Sequence, residues 1–395
     1  MGGAVSYLTS LLQHLPPPNS GNRFFVFVPD DTVKLLPDVP GNIRLCALRG
    51  KETGGWRRLW WEQVTLRRFL RQEKVDFLFS TANFAMFRCP VRQVLLVRNA
   101  LYFSKMCEQM FLRKHALRYR LAFAIRRWMI LESVRSADVV MTPTQAMLDD
   151  LRQFAELDPK KLLVNPYGVA TADFSLPGAQ RVTPEPVPAA QRSVRLIYVS
   201  LYSEHKNLTT LLKALPLLNR NGAVKFVLRT TVDPGWEGAA WTVTHKADSE
   251  LARRPGVAPW VEFLGPLTKG QVQQLYRDAD LFVFPSFCES FGHPLAEAMA
   301  HGLPVVASDT PVNREMCGEA AIYFSPLDPE DLARQIRRVA SDPALGQRLR
   351  ITVQEEARTK FRWDAHVRKI LAAGCLPFSR GILGRFDLPP EGPAS

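Results

Sequence analysis

The chain has 395 residues, of which 46% are hydrophobic, so it is too long for one ordinary core and too apolar to be disordered. Its six cysteines form no CxxC pair, which argues against a zinc site or a disulfide framework and fits a reducing compartment such as the cytoplasm. The formal net charge of +13 favours phosphate-rich partners, namely nucleotides, nucleic acid or an anionic membrane face.

The N-terminus begins with Gly2 and Gly3, and a helical pattern of apolar residues follows at once over 5–15. A glycine pair that opens a helix normally follows a strand, and in a doubly wound sheet that first strand is central. The absence of this strand would split the sheet. We therefore expect that the N-terminus is incomplete. The alternative is a start without this strand in a rearranged domain.

Short apolar runs alternate with amphipathic stretches along most of the chain. Eight runs fit buried parallel strands, at 24–28, 75–79, 94–97, 138–141, 196–200, 225–228, 281–284 and 304–307. This alternation is typical of open sheets covered by helices and predicts an α/β protein. No run of about 18 uncharged apolar residues appears, so no membrane-spanning helix is predicted.

Two segments of the first half, 56–74 and 109–135, mix arginines with large apolar residues. A basic amphipathic helix of this kind can lie on an anionic membrane. The alternative is a helix packed on the sheet with a solvated basic face. No nucleic-acid partner is expected, because the sequence has no zinc-finger, helix-turn-helix or RNP-like pattern.

A proline-rich segment with few apolar residues interrupts the alternation near 175–193, which is typical of a linker. We predict an N-terminal domain over 1–175, a linker over 176–192, a C-terminal domain over 193–362, and a C-terminal helix and tail over 363–395. A cleft between two α/β domains is a preferred ligand site, because strand carboxyl ends from both sheets can point into it.

The most informative stretch is 285–309, which reads PSFCESFGHPLAEAMAHGLPVVASD. It predicts the end of a strand, a loop containing Gly292, a short helix that begins at Pro294, and another strand. Free amides around Gly292, His293 and Leu295 would point at an anion, and the helix dipole adds favourable potential. This geometry suits a diphosphate.

Two carboxylates flank the turn, Glu289 in the loop before it and Glu297 one turn inside the helix. Carboxylates are good acceptors for vicinal hydroxyls of a sugar or a ribose. One acid before and one after a phosphate-binding turn can hold both ends of a nucleotide sugar. The alternative is that both acids merely face solvent, as most acidic residues do.

This segment resembles the E-x7-E motif of family 4 retaining glycosyltransferases, which have the GT-B fold of two Rossmann-like domains facing each other across a cleft. Glu289 and Glu297 match the two acids of the motif. The turn between them is matched by Ser290, Phe291, Gly292, His293 and Pro294. The resemblance implies that Glu289 contacts the hydroxyls of the donor sugar, that Glu297 binds the ribose, and that the turn amides hold the sugar and diphosphate.

The resemblance continues at 198–207, which is similar to the strand and loop that open the second domain of the family. Within this loop, Ser200 is expected beside the donor, and Lys206 matches the lysine that grips the donor phosphates. A fixed ammonium there would stabilise the charge that the leaving nucleoside diphosphate gains. Gly2 and Gly3 resemble the glycine loop that approaches the diphosphate.

Two further segments resemble the connection between the domains. NPYGV at 165–169 is similar to the closing segment of the first domain. FRWD at 361–364 is similar to the segment that leads the C-terminal helix back toward that domain.

Two positions depart from the family pattern. Leu201 stands where an arginine is common, so a phosphate-binding cation is missing, and Arg229 is a candidate to replace it. Asn99 stands where a histidine is often found in the first-domain cleft. Its amide cannot act as a base at neutral pH, although it can hydrogen-bond a sugar or an acceptor. The alternative is that Asn99 only caps its loop.

The resemblance implies transfer of a sugar from a UDP- or GDP-sugar to a glycan or lipid-linked acceptor, with retention of configuration and without a cofactor. No metal is expected, because Lys206 and the helix terminus can replace a cation. The acceptor is expected near Asn83, Arg98, Asn99 and Tyr102. A catalytically inactive nucleotide-binding scaffold and a nucleotide-sugar epimerase are the alternatives. The expected location is the cytoplasm, with peripheral contact to the inner membrane face if the basic segments bind lipid.

Overall fold

The computed structural model describes residues 3–48, 60–170, 193–220, 224–235 and 242–375. Gly2, the linker predicted over 176–192 and the tail after Cys375 lie outside these ranges. Within them, the chain forms two α/β domains and a final helix that crosses back from the second domain to the first.

The described part of the first domain contains two parallel sheets. Its strands are β1 (Phe24–Pro29), β2 (Ile43–Leu48), β3 (Phe77–Ser80), β4 (Arg92–Leu96), β5 (Val139–Thr142) and β6 (Leu162–Val164). β1 pairs with β2, and the other four form a sheet in the order β3-β4-β5-β6. β4 and β5 are buried on both faces, as their nearly continuous apolar sequences predict.

The separation of these two sheets is the split expected for a doubly wound sheet without its central first strand. A rearranged domain fits the same topology. The incomplete N-terminus therefore stays a prediction.

The helices of the first domain cover both sheets and connect the strands. They are α1 (Gly3–Gln13), α2 (Asp30–Val33), α3 (Arg67–Gln72), α4 (Lys105–Met110), α5 (Leu117–Ser136) and α6 (Gln145–Arg152). The hydroxyls of Ser104 and Thr144 cap α4 and α6 by accepting hydrogen bonds from backbone amides of the first turn.

The second domain contains one parallel sheet of six strands in its described residues. They are β7 (Ser193–Tyr198), β8 (Lys225–Thr230), β9 (Val261–Phe263), β10 (Leu281–Phe284), β11 (Val305–Ser308) and β12 (Ala321–Phe324). The order is β12-β11-β10-β7-β8-β9, so the chain reverses direction across the sheet between β7 and β10. Ligands of open α/β sheets bind beside such a switch point, at the carboxyl ends of the strands.

Seven helices surround this sheet in the described ranges. They are α7 (Leu208–Asn219), α8 (His245–Ala252), α9 (Lys269–Asp278), α10 (His293–Ala300), α11 (Pro311–Cys317), α12 (Pro329–Ser341) and α13 (Pro343–Lys360). Four begin at a side-chain cap, supplied by Thr268, Thr310, Asp328 and Asp342.

The last helix, α14 (Trp363–Cys375), packs on the first domain beside β3 and β4. Arg92 Nε of β4 donates a hydrogen bond of 2.7 Å to the carbonyl of Ala373. A Cβ at Gly374 would overlap the ring of Phe77, so the close approach of helix and sheet requires glycine.

The segments 165–169 and 361–366 lie against each other where α14 begins. Asn165 Nδ2 donates to the carbonyl of His366 at 3.0 Å, and the amide of Val169 donates to the carbonyl of Phe361 at 3.1 Å. A Cβ at Gly168 would overlap the backbone of Trp363. These contacts fix how the end of the first domain meets the returning helix.

All eight predicted strands overlap strands of the structure, and the predicted α/β fold is confirmed. β2, β6, β9 and β12 were not predicted. Two of them, β6 and β9, have only three residues, too few to show a hydrophobic pattern in the sequence.

Candidate functional site

The turn between β10 and α10 depends on Gly292. Its φ of +81° lies in the left-handed region, and a Cβ there would lie 3.2 Å from the ring of Phe284. Both the backbone conformation and the space therefore favour glycine. Gly292 stands at the N-cap of α10, with Pro294 in the first turn. The positive end of the helix dipole is thus placed at the carboxyl end of β10.

The backbone groups of this turn differ in their availability. A free amide was predicted at Leu295, and this prediction is wrong, because the Leu295 amide donates to the carbonyl of Gly292 at 2.9 Å. The first helical turn therefore uses it, and the Leu295 side chain is buried. The amides of Gly292 and His293 precede that turn and are the candidate anion-binding groups.

Lys206 and Glu289 meet at the carboxyl ends of the neighbouring strands β7 and β10. Lys206 Nζ lies 2.6 Å from Glu289 Oε1, and the two side chains are 15% and 12% exposed. The Tyr198 hydroxyl holds the turn at Lys206 by donating to its carbonyl at 3.0 Å. The structure thus brings together the ammonium and one of the two acids singled out in the sequence. The pair keeps some contact with solvent, and the binding of donor phosphates by Lys206 stays a prediction.

His293 carries no charge at neutral pH. Burial lowers its pKa to about 3, with further lowering by the positive charges of Arg98 and Lys206. Arg98 belongs to the first domain and Lys206 to the second, so each domain brings one cation to the start of α10. The Arg98 guanidinium lies 5.4 Å from the centre of the Tyr7 ring, which helps to fix its position.

Arg229, the candidate to replace the missing cation at Leu201, forms an ion pair on the sheet in this structure. Its Nε donates to Glu262 Oε2 on the neighbouring strand β9 at 2.8 Å, and Leu201 itself is 55% exposed. The charge of Arg98 acts on His293 at the start of α10, whereas a role of Arg229 at the phosphates stays a prediction.

Two other predicted donor residues of the second domain have fixed surroundings. Glu297 Oε2 accepts a hydrogen bond of 3.1 Å from the Tyr276 hydroxyl, which orients the carboxylate. The Ser200 amide donates to Thr231 Oγ1 at 3.0 Å, so this amide is engaged within the loop. The contacts of Glu297 with ribose and of Ser200 with the donor stay predictions.

The predicted glycine loop is only partly described by the structure. Gly2 lies outside the described residues, and Gly3 is the first residue of α1. The hydroxyl of Tyr7 in the same helix hydrogen-bonds His366 Nε2 at 2.9 Å, which ties α1 to α14. A role of Gly2 and Gly3 at the diphosphate stays a prediction.

Asn99 has the capping role that was its alternative interpretation. Its Oδ1 accepts from the amide of Leu101 at 3.2 Å at the start of a 3-10 turn. Asn83 Oδ1 in turn accepts from the amides of Arg98 and Asn99, at 2.7 and 3.2 Å. Both asparagines therefore shape the loop that presents Arg98, and a catalytic role for Asn99 stays a prediction.

Side chains of the two domains meet around the turn. The Tyr167 ring stacks on His293 with 4.8 Å between ring centres and an angle of 4°. The Glu315 carboxylate accepts 2.7 Å hydrogen bonds from the amides of Gln145 and Ala146, at the N-terminus of α6. The two domains are therefore in direct contact at these points.

A small pocket lies between the domains beside the Lys206 turn. It is lined by His115, Tyr119 and Phe123 on one side and by Ser203, Glu204 and His205 on the other. His115 Nε2 lies 3.1 Å from Glu204 Oε1, with both side chains largely buried. Sequence reasoning missed this pair, because neither residue stands in a motif and their proximity depends on how the domains meet.

Of the predicted acceptor residues, Tyr102 reaches this region. Its ring packs on Phe123, with 4.8 Å between the ring centres. Arg98 lies instead near the start of α10, and Asn83 and Asn99 serve their own loop. Asn83, Arg98 and Asn99 are joined by the hydrogen bonds of Asn83 Oδ1, and Tyr102 ends the 3-10 turn that Asn99 caps, so an acceptor site formed by the four residues stays a prediction.

Two Rossmann-like domains that enclose one cleft, with the charged turn at its edge, define the chain as a GT-B protein. The crystal structure of a glycosyltransferase from Rickettsia africae has this architecture, with a TM-score of 0.68 and 16% identity over 94% of each chain. The Anabaena protein HepE, solved in complex with UDP and glucose, has a TM-score of 0.62 and 18% identity over 94% of this chain and 95% of that chain. At these identities the likeness shows the fold.

Residues 1–173 match the family described as Glycosyltransferase Family 4, and residues 193–342 match Glycosyl transferases group 1. The chain belongs to this family of glycosyltransferases. A D-inositol 3-phosphate glycosyltransferase from Actinosynnema mirum is 32% identical over 61% of this chain and 58% of that relative. An O-antigen chain mannosyltransferase B from Escherichia coli is 30% identical over 37% of this chain and 36% of that relative. The matched part of the chain thus covers 58% of the length of the first relative and 36% of the length of the second.

Proposed function

We propose that the chain transfers a sugar from a nucleoside-diphosphate sugar, with UDP or GDP as the nucleotide, to a glycan or lipid-linked acceptor. In this proposal the anomeric configuration is retained and no metal is required. The observation that carries it is the Lys206–Glu289 ion pair beside the N-terminus of α10.

Positive charge for the diphosphate comes from the protein itself. Lys206, Arg98 and the amides of Gly292 and His293 surround the place where the phosphates would lie. As the glycosidic bond breaks, the leaving diphosphate gains negative charge, and fixed positive groups stabilise that charge most in a site shielded from water. These groups are the reason for proposing transfer without a metal.

In this arrangement Glu289 binds the donor sugar and Glu297 binds the ribose. When the phosphates bind Lys206, Glu289 loses its present partner and becomes available to the sugar hydroxyls. The leaving phosphate then assists deprotonation of the acceptor on the same face of the sugar. Such a route needs no basic side chain and is compatible with Asn99 as a capping residue.

Release of free nucleotide from a panel of UDP- and GDP-sugars tests this function. We expect one donor to be consumed with an acceptor extract, at a rate that EDTA leaves unchanged, because the cations of the site are side chains. Loss of turnover in EDTA with recovery on adding a divalent cation would contradict metal independence. Nucleotide binding without turnover of any donor would favour an inactive scaffold, and an epimerised donor formed without acceptor would favour an epimerase.

The acceptor side of the proposal includes contact with an anionic membrane. The exposed apolar stripe of α5 consists of Leu117, Leu121, Ile125 and Trp128, which are 76%, 60%, 48% and 60% exposed. At about 100° per residue these four side chains fall within an arc of roughly 80° on one face of the helix. Large apolar side chains on one exposed helix face can enter the interfacial region of a bilayer.

Basic residues border this stripe. Arg118 and Arg120 project on either side of it, and Arg113 and Lys114 precede the helix, all four being exposed. By contrast, the described part of the other basic segment, 60–74, buries Leu66 and Leu70 against the first domain. The proposal of membrane contact therefore rests on α5, and residues 56–59 lie outside the described ranges.

The stripe begins next to the pocket between the domains. Tyr119 stacks on His115 with 4.2 Å between ring centres, and His115 pairs with Glu204 in the turn that carries Lys206. A membrane bound by α5 would hold a lipid-linked acceptor close to this pocket. No helix among the described residues is both long and apolar enough to cross a bilayer.

Cosedimentation with liposomes tests the membrane contact. We expect binding to vesicles that contain anionic lipid at low salt, and weaker binding at high salt, because salt screens the arginines and lysine. Leu121→Ser with Trp128→Ser should weaken binding by more than about tenfold, since both apolar side chains lose their burial in lipid. Ile351→Ser, at a residue 48% exposed on the second domain, is the control. Equal binding of the double variant and the unmodified chain would contradict the proposal.

A further inference from the structure

Two cysteines from different domains lie together at the closed cleft. Cys107 belongs to α4 of the first domain, and Cys288 directly precedes Glu289 in the second. Both are buried, with 7% and 6% exposure, and both are reduced. They share one cluster of buried side chains with Phe111 and Phe287, whose rings stack across the cleft with 5.7 Å between centres.

The two thiols lie in this one cluster, and each affects the pKa of the other. Their interaction lowers the pKa of Cys107 and raises that of Cys288. The hydroxyl of Ser104, which accepts a hydrogen bond from the Cys107 amide at 3.2 Å, lowers the pKa of both thiols. Burial and the negative charges of Glu204 and Glu289 raise the pKa of Cys107. The interactions with Cys288, the largest cause, and with Ser104 lower this pKa by more. Cys107 is therefore the sulfur that ionises first.

We propose that Cys107 and Cys288 are an oxidative modification site, where a reversible disulfide cross-links the two domains across the closed cleft. The arrangement of the two domains in this structure places both cysteines in one buried cluster. A bond beside Glu289 would hold the domains closed, so a donor could neither enter nor leave. The disulfide itself does not depend on the proposed transfer reaction, whereas its effect on turnover does.

The oxidant is a peroxide. The Cys107 thiolate attacks one peroxide oxygen, the O–O bond breaks, and a sulfenic acid and hydroxide form. The Cys288 sulfur then attacks the Cys107 sulfur, the S–S bond forms, and the sulfenic oxygen leaves as water with the thiol proton. In sum, two thiols and one hydrogen peroxide give one disulfide and two waters. A dithiol reverses the reaction by exchange.

Peptide mapping of the full chain after hydrogen peroxide treatment tests the disulfide directly. Under non-reducing conditions we expect the peptides of Cys107 and Cys288 to be joined, and dithiothreitol to separate them. The chain should also migrate faster on a non-reducing gel, because the cross-link closes a long loop. Absence of the joined peptide, while exposed Cys375 is oxidised, would overturn the proposal.

The effect of the disulfide on sugar transfer is tested by the ratio of the turnover rate after oxidation to the rate before oxidation. It should fall at least tenfold in the unmodified chain and return with dithiothreitol. Cys107→Ser should keep a ratio near one, whereas the control Cys46→Ser should behave as the unmodified chain. A joined peptide with an unchanged ratio would contradict the proposal that the disulfide blocks turnover. If no donor is turned over even by the reduced chain, the proposed function fails, and the peptide map still decides whether the disulfide forms.

Discussion

Replacing Lys206 by alanine is expected to lower the rate of sugar transfer by about 10²- to 10³-fold, the range found when one fixed group that stabilises developing negative charge is removed. The ammonium stands where the leaving diphosphate gains charge, so kcat should fall more than the affinity for the free nucleotide. Measurement of kcat with the preferred donor, beside the Kd for UDP or GDP, checks both parts.

Lys269→Ala is a matched control for Lys206→Ala. Lys269 is exposed at the start of α9, away from the turn, and should change neither quantity. The Lys206 variant also leaves a partly buried Glu289 without its partner, so its thermal unfolding midpoint should be recorded to separate lost stability from lost catalysis. Transfer at the unmodified rate by a folded Lys206→Ala variant would remove Lys206 from the site.

Glu289→Gln is expected to slow transfer by roughly 10- to 150-fold, which corresponds to the loss of one charged hydrogen bond of about 1.5–3 kcal/mol. The amide has the shape of the carboxylate but not its charge, so it should bind the sugar hydroxyls less strongly. Nucleotide affinity should hold or rise, because Lys206 is released from its present ion pair and becomes free for phosphate. The measurement is kcat for the donor together with the Kd for the nucleotide.

Glu250→Gln, at an exposed position in α8, is the control for this substitution. A parallel loss of nucleotide affinity in Glu289→Gln would show that Glu289 contacts the nucleotide and not the sugar. The double variant with Lys206→Ala adds a further check, since two residues in direct contact should give effects on kcat that do not add.

Much of the fold could be predicted because its signals are local. A buried parallel strand needs a short apolar run, so the central strands β4, β5, β7, β10 and β11 were recognisable. β6 and β9 have three residues each and become strands by pairing with a neighbouring strand. This pairing cannot be recognised from a few consecutive residues. The same limit applies to the sheet order, which depends on contacts between distant segments.

Local signals also explain which parts of the site were found. Gly292, Pro294, Glu289 and Glu297 lie within one strand–turn–helix segment, so their spacing is set by backbone geometry. The free amide predicted at Leu295 was wrong for a related reason. The sequence shows where a helix begins, but not that its first turn folds back to bond the Gly292 carbonyl.

By itself, the sequence determined the α/β class and a helix terminus flanked by acids, because periodicity, glycine and proline act within a few residues. The tertiary structure alone decided that the charge of Arg98 acts at the turn, that His115 pairs with Glu204, and that Cys107 and Cys288 share one buried cluster. Each of these contacts joins segments far apart in the chain, and their distance is set by how two separately folded domains close on one another.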